Sequence, residues 1–357
     1  MTYKAALISQ QSESSKMTVR AIEKYFGKVD DLNIKHIEVN LGSKEPEILY
    51  EGKKLAAYDC VYAKGSFRYA VLLRAISDVL SGKCFMPLSP SAFTNGHDKV
   101  ITHLKLQNNN VPMPKTYLTS SPDAAKEILD KVNYPIIMKF PQGTQGKGVM
   151  LADSKASASS MMDALGALKQ PFLIQEYVDT GGVDIRALVV GNEVVAGMKR
   201  QAKQGEQRAN IHAGGSGEKV ELDDETKKIA IEAAQALGAG ICGVDILESV
   251  KGPVVIEVNV SPGLQGITEV TKVDIADKIA KYLFDSTKES KEAKKKVNEK
   301  DLFKELGISH QSEVITNLDF RGKRILLPEL VTEITKFNED DEVTIKADKK
   351  TVIIKGK

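Results

Sequence analysis

The sequence predicts an α/β protein with a parallel sheet at its N-terminal end, a longer body of strands, glycine loops and helices, and a small β-rich tail. Three observations predict this. Strand-like and helix-like segments alternate up to about Ser91, as a parallel sheet with helical crossovers requires. From about Thr116 to Asp285, apolar strand-like runs end in glycine loops and are joined by amphipathic helices. After Glu313 the chain falls into short alternating segments with turn signals between them.

Taken in order, YKAALIS is an opening strand, followed by a polar turn and a helix around Lys16 to Phe26. NIKHIEV and DCVYAKG read as further strands, and RYAVLLRAISDVL as a strongly periodic helix. NGHDKVITHLKLQNNN starts a helix with Asn or Asp as its cap. Val111-Pro-Met-Pro is a rigid extended connection, because each proline fixes its own φ and biases the residue before it away from helix. DDETKKIAIEAAQALG is an amphipathic helix that ends at a glycine, as a left-handed C-terminal cap favours. KESKEAKKKVNEK is a charged helical or solvated linker. FRGKRILLPEL, DDEVTIKA and KKTVIIK form a module of about 45 residues, small for a fold that stands alone.

Composition narrows the function. A hydrophobic content of 42% and charged content of 27% fit a globular protein, and a net charge of +2 gives no global field for nucleic acid or a membrane surface. The N-terminus MTYKAALISQ lacks the apolar run of a signal peptide, and no segment is long and apolar enough to span a bilayer. Cys60, Cys84 and Cys242 are scattered, with no zinc or disulfide spacing, so a reducing cytoplasm is the expected home.

Four stretches carry chemistry. PVVIEVNVSPG (253–263) reads as a strand, yet Glu257 and Asn259 project from one face of it. Asp245 in ICGVDIL lies one tight turn upstream, so pairing the two strands would bring three oxygen donors together. The partner of such buried carboxylates is either a hard cation such as magnesium or a basic side chain. FPQGTQGKGVML places Gly143, Thr144, Gln145, Gly146 and Gly148 between two strand-like runs, where backbone N–H groups can approach an anion. Lys139 ends the strand before that loop. FLIQEYV and DTGGVDIRALVV follow, with Gln175, Glu176 and Tyr177 at one strand end and Asp184 and Arg186 on one face of the next. RQAKQGEQRANIHAGGSG is a polar loop carrying Arg200, Arg208, Asn210 and His212.

The order of these signals (lysine, glycine loop, Q-E-Y, D-I-R, R-x-N, V-D-I-L, E-V-N-x-S-P-G) resembles the ATP-grasp carboxylate–amine ligases, and more narrowly the RimK type, the α-L-glutamate ligases. The resemblance runs from about Tyr3 to Phe284. It implies an α+β ATP-grasp fold: an N-terminal α/β domain over 1–95, an ATP-grasp domain over 96–285 with a lid at about 112–175, a charged linker over 286–312 and a separate module over 313–357. ATP would lie clasped between two antiparallel sheets.

Residue by residue, the resemblance implies that Lys99 and Lys139 contact the phosphates and that the loop with Gly143, Thr144, Gln145 and Gly146 closes over them. It places Gln175, Glu176 and Tyr177 at the adenine and Asp184 at the ribose. Arg208, Ala209 and Asn210 match the nucleotide and catalytic segment, Ala209 by backbone alone. Arg208 and Arg186 are the implied catalytic residues, Arg186 and His212 the substrate contacts, and Asp245, Glu257 and Asn259 the ligands of two Mg2+ or Mn2+ ions. The implied reaction passes the γ-phosphoryl group of ATP to a carboxylate, and an amine then displaces phosphate to form an amide. Glutamate is the implied donor, and a protein C-terminus, such as a ribosomal protein's, or a coenzyme the acceptor. An amino-group carrier protein is the alternative acceptor, and an ATP-sensing regulator with a DNA-binding tail the alternative class.

Two features depart from the pattern. Relatives often read H-R-G-G where this chain has His212-Ala213-Gly214-Gly215, which bears on donor specificity. The tail loosely resembles AbrB-type swapped-hairpin modules, many of which bind DNA. From Glu313 to Lys357, nine Lys or Arg balance nine Asp or Glu, so self-association into a homo-oligomer is favoured over DNA binding.

Overall fold

The computed structural model describes residues 2–42, 44–141, 148–167, 171–202, 216–305, 319–327, 331, 335–336, 338, 341–349 and 351–356. It divides into two compact units, Met1–Lys291 and Glu292–Lys357.

The first unit opens with β1 (Lys4–Ser9), α1 (Glu13–Ile22), β2 (Lys28–Asn33), β3 (Ile37–Asn40), β4 (Glu47–Tyr50), β5 (Lys53–Lys54) and β6 (Cys60–Ala63), then α2 (Ala70–Leu80), α3 (Pro90–Asn95) and α4 (Lys99–Asn108). β1 lies between β2 and β6 and parallel to both, the sheet that the alternating pattern predicts. β6 is buried throughout and β1 beyond its first residue, as parallel strands covered on both faces must be.

Two elements differ from the sequence expectation. NIKHIEV does not form one strand. It breaks into a 3-10 turn over Ile34–His36 and the short β3, which joins β4 and β5 in a separate antiparallel sheet. The parallel position goes to Lys28–Asn33, whose paired aspartates hide it from a hydrophobic pattern. At the sheet edge they are tolerated, and Asp30 accepts a hydrogen bond from the Tyr58 hydroxyl at 2.8 Å. Helix α1 starts at Glu13, earlier than Lys16, because Ser12 caps it by accepting from the Ser15 amide.

A second sheet is built from β7 (Thr116–Thr119), β8 (Ile136–Lys139), β9 (Val149–Ala152) and β10 (Phe172–Glu176), with α5 (Pro122–Leu129) and α6 (Lys155–Ala167) between them. Its order is β7-β10-β8-β9, all antiparallel. Ile136, Met138, Phe172 and Ile174 turn one face onto α5 and α6, and this hydrophobic core is separate from the rest of the protein. By strand alternation the opposite face presents Ile137, Lys139, Leu173 and Gln175.

The third sheet holds β11 (Val183–Val190), β12 (Glu193–Gln201), β13 (Ser216–Lys219), β14 (Ile241–Ser249) and β15 (Gly252–Asn259), in the antiparallel order β13-β12-β11-β14-β15. Helix α7 (Asp224–Leu237) packs on it, with both ends fixed as its sequence demands. Asp223 accepts from the Thr226 amide at 2.7 Å, and Gly238 takes φ +68°, where an added Cβ would lie 2.4 Å from the Ser89 hydroxyl. The third sheet and the N-terminal parallel sheet share one hydrophobic core. Each fully buried Leu or Ile in it, such as Leu7, Ile241 or Leu283, contributes on the order of 1.5–3 kcal/mol.

After α8 (Gln265–Thr271), helix α9 runs from Ile275 to Glu305. The charged stretch 288–300 is therefore helical, and the boundary expected at 285 falls inside a helix. In the second unit, β16 (Asp319–Arg321) pairs with β17 (Arg324–Leu326), and β18 (Val343–Asp348) with β19 (Thr351–Gly356), as two separate hairpins. Phe320, Ile325, Ile345 and Val352 on them are exposed. No helix among the described residues is long and apolar enough to cross a membrane.

Candidate active site

β14 and β15 pair as expected, with Asp245 opposite Glu257 and Gly243 opposite Asn259. A bulge after Asp245 bends the strand there. Cross-strand partners share a face, and so do positions i and i+2, so the three predicted oxygen donors stand side by side. The Asn259 carboxamide oxygen accepts from the Ser261 amide at 3.0 Å. The loop that follows is tied to the parallel sheet: Gly65 donates to the Ser261 hydroxyl, the Lys64 ammonium to the Pro262 carbonyl and the Leu264 amide to the Ser14 hydroxyl.

The row of charges continues across the sheet. Arg186 on β11 lies opposite Asp245 and grips it with two bonds, Nε to Oδ1 at 2.8 Å and Nη2 to Oδ2 at 2.7 Å. Arg200, opposite Asp184, holds that carboxylate at 2.6 and 2.7 Å and reaches Asp245 Oδ2 at 3.0 Å. Arg200 thus belongs to β12, although its sequence context reads as a loop. Arg186, expected at a substrate carboxylate, carries Asp245 in this structure, and Asp184, expected at a ribose, carries Arg200. Burial pushes the Asp245 carboxyl up, but the two guanidiniums outweigh it and hold it well below the usual range. Asp184 is pushed upward by burial and by Asp245, against the pull of Arg200. Glu257 is open to solvent in a crowded cleft. The protein around it and then Asp245 push its carboxyl up, opposed by Lys99, Arg186 and Lys139.

Both predicted lysines face this row. Lys99 is the first residue of α4, whose cap Asp98 accepts from the Val100 and Ile101 amides at 2.8 and 3.1 Å. Lys139 ends β8 and is 7% exposed; burial and the nearby Lys99 charge push it down to about 8, with Glu257 pulling the other way. Gly96, His97, Lys99, Thr102, His103 and Glu257 line a small cavity here. Gln175 is buried and bonded to Lys139 at 2.8 Å, Glu176 is exposed with its amide on the Lys115 carbonyl, and Tyr177 follows the strand end.

Gly143, Thr144, Gln145, Gly146, Arg208, Ala209, Asn210 and His212 lie outside the described residues. Two histidines at the cavity, His97 and His103, were not predicted. His103 stands one helical turn after Lys99, a spacing that puts both on one face of α4.

The donor set suits a hard divalent cation: two carboxylates and an amide carbonyl, all oxygen, with Glu257 reachable from solvent. Both Asp245 oxygens carry guanidinium hydrogens in this structure, so a cation there must displace or share one of them. Among the described residues, no group of three or more His, Cys, Asp or Glu side chains is placed to hold a metal ion; the set here has two carboxylates, with the Asn259 amide as its third donor.

The model of the RimK-like ATP-grasp domain matches residues 96–283. A probable alpha-L-glutamate ligase of Vibrio cholerae serotype O1 is 37% identical over 273 residues, covering 76% of this chain and 91% of the relative. One of Halorhodospira halophila is 40% identical over 248 residues, covering 69% and 82%. Among solved structures, the ATP-grasp ligase PsnB, complexed with a phosphomimetic variant of a minimal precursor, Mg and ADP, matches with a TM-score of 0.62 at 21% identity, over 80% of this chain and 99% of that one. The macrocyclase MdnC of Microcystis aeruginosa, bound with its precursor peptide MdnA, matches with a TM-score of 0.60 at 16% identity, over 79% and 99%.

Proposed function

Because this chain belongs to the RimK-like ATP-grasp family, we propose that it spends ATP to join the amino group of L-glutamate to a carboxylate on a protein or coenzyme. Family membership makes it an ATP-dependent ligase; the donor, the acceptor and the roles below are the proposal. The names of its relatives support glutamate as donor. The observation that carries the site assignment is Lys99 beside Glu257 in one cavity, with Lys139 in electrostatic reach of both and Asp245 opposite Glu257 on the neighbouring strand.

Lys99 and Lys139 would hold the triphosphate, and the buried setting of Lys139 strengthens its field on a phosphate oxygen. Asp245, Glu257 and Asn259 would hold Mg2+ or Mn2+, which when bound neutralises charge on the phosphate oxygens. The γ-phosphoryl group then passes to the acceptor carboxylate. The glutamate nitrogen attacks the resulting acyl carbon, phosphate leaves with the bonding pair, and the amine gives up its proton to complete the amide. Positioning and charge neutralisation dominate such transfers, so no protein nucleophile is assigned.

The test is ADP release from the full chain, screened over candidate carboxylates with glutamate as donor and followed by mass spectrometry of the product. ADP release that needs both a carboxylate and glutamate is the expected result; release that is indifferent to either would refute the reading.

Lys139 also sets a pH dependence. For a lysine pushed down to about 8, the charged form prevails below that pH and is lost above it. The kcat/KM for ATP, which reports the free enzyme, is expected to fall as pH rises through about 8, and Lys139→Arg is expected to move that fall upward because a guanidinium keeps its proton. An identical alkaline limb in both enzymes would remove Lys139 from the phosphate site.

A further inference from the structure

We propose that His103 sets the position of Lys139, acting through Gln175. As a neutral imidazole protonated on Nδ1, it fixes the Gln175 amide with its oxygen toward the lysine. The inference rests on the ligase reading above, in which Lys139 faces the nucleotide phosphates.

The hydrogen bonds leave one arrangement. His103 is 6% exposed, and its Nδ1 lies 2.6 Å from the Lys99 carbonyl oxygen. A carbonyl only accepts, so Nδ1 carries the proton. Burial, and then the charge of Lys139, push this histidine down to about 4. The ring is therefore neutral at physiological pH, and its Nε2 offers a lone pair.

One end of the Gln175 amide lies 3.0 Å from that Nε2 and 2.7 Å from the Thr116 hydroxyl. The Thr116 hydroxyl already donates its proton to the Pro114 carbonyl at 2.8 Å, so toward Gln175 it accepts. Two acceptors at one end of an amide demand the NH2 group there. The oxygen is left for the Lys139 ammonium, 2.8 Å away. Reversing the amide would set NH2 against the ammonium and oxygen against the Nε2 lone pair, and the Thr116 hydroxyl could meet that oxygen only by giving up its bond to the Pro114 carbonyl.

The consequence for the lysine is specific. Gln175 and Lys139 are 4% and 7% exposed, so the ammonium is held in a dry site by a neutral acceptor. A carboxylate at position 175 would hold it as firmly but cancel its charge. An amide oxygen orients the ammonium and leaves its full charge for a phosphate. The orientation in turn depends on a histidine 72 residues away in sequence. The same histidine stands on the helix that begins at Lys99 and is bonded to that residue's carbonyl, so through Gln175 on β10 the imidazole links the helix of one phosphate lysine to the side chain of the other. His103 is thus a positioning residue; it need not touch the nucleotide.

The test uses the full chain and the non-hydrolysable nucleotide AMP-PNP with Mg2+, its binding followed by calorimetry. His103→Leu removes the acceptor and is expected to weaken AMP-PNP binding about tenfold, the scale of one lost hydrogen bond. His103→Gln, whose carboxamide oxygen can accept from Gln175, is expected to recover most of the loss. A merely structural role would not predict that recovery. The nitrogen-15 spectrum of His103 in the free protein is expected to report a neutral ring protonated on Nδ1 at pH 7. His103→Leu binding as tightly as wild type, or a ring that is charged or protonated on Nε2, would overturn the proposal. If His103→Leu fails to fold, the spectrum and His103→Gln still decide it, since tenfold weakening in His103→Gln would also count against it. A wild-type chain that binds no AMP-PNP overturns the ligase reading instead, and the spectrum still judges the orientation of Gln175.

Discussion

Glu257→Gln is expected to lower ATP-dependent ligation by about 10³-fold while leaving the thermal midpoint unchanged or slightly raised. The activity term follows from charge: glutamine keeps the shape but loses the anion, and removing one preorganised electrostatic contact at a transferring group typically costs two to three orders of magnitude. The stability term follows from the setting. Glutamine fills the same space, so the change leaves no void, and it relieves the cost of crowding a charge among protein atoms and then the repulsion from Asp245, the two causes that push the Glu257 carboxyl upward. Steady-state ADP release and a melting curve on the same preparation check both halves. Turnover within tenfold of wild type would remove Glu257 from the reacting centre.

The second large effect is on folding. Arg200→Leu is expected to destabilise the protein by about 3–5 kcal/mol, the range for breaking a buried ion pair from one side. That is a large part of the 5–15 kcal/mol by which most domains are stable. Arg200 is 5% exposed and bonds both Asp184 and Asp245, so its loss leaves Asp184 without its fork and Asp245 with Arg186 alone. The pH dependence has a definite sign. Asp184 is already pushed above its ordinary value, and without Arg200 it rises further. An acid raised in the folded state has its stability intact below the unfolded value near 3.9 and loses it as pH rises through the folded value. The deficit should therefore be larger at pH 8 than at pH 5. Urea midpoints at both pH values test it, and Asp184→Asn in the same background should recover part of the loss. A variant as stable as wild type at pH 8 would show that the cluster carries no net stability.

The β14–β15 pair was legible because strand alternation is a local rule. Two charged positions in apolar runs separated by one tight turn could only meet on one face, and they do. Helix α7 was legible for the same reason, with both caps written in its own residues. What stood opposite the carboxylates was less so. Cation and ion pair were both open for Asp245, and the choice between them lay with Arg186 and Arg200 on other strands. Arg200 read as a loop residue because glycine and polar residues follow it directly. Strand β2 was missed because Asp30 and Asp31 break the apolar pattern, which an edge strand can afford. His103 gave only its one-turn spacing from Lys99, which means nothing until Gln175 is placed against it.

The division of the interior into two cores has a mechanical consequence. The carboxylate row shares its core with the N-terminal parallel sheet, and the loop after Asn259 is stitched to the end of that sheet, so these parts travel as one stiff jaw. The sheet that carries Lys139 has packing of its own and is linked on either side by the short runs 112–115 and 177–182. Swinging it outward would bend those two straps and strip little apolar surface from either core. A bulky nucleotide could thus enter and leave by hinge motion, at a cost set by joint stiffness and the few polar contacts that span the gap, without melting any element of the fold.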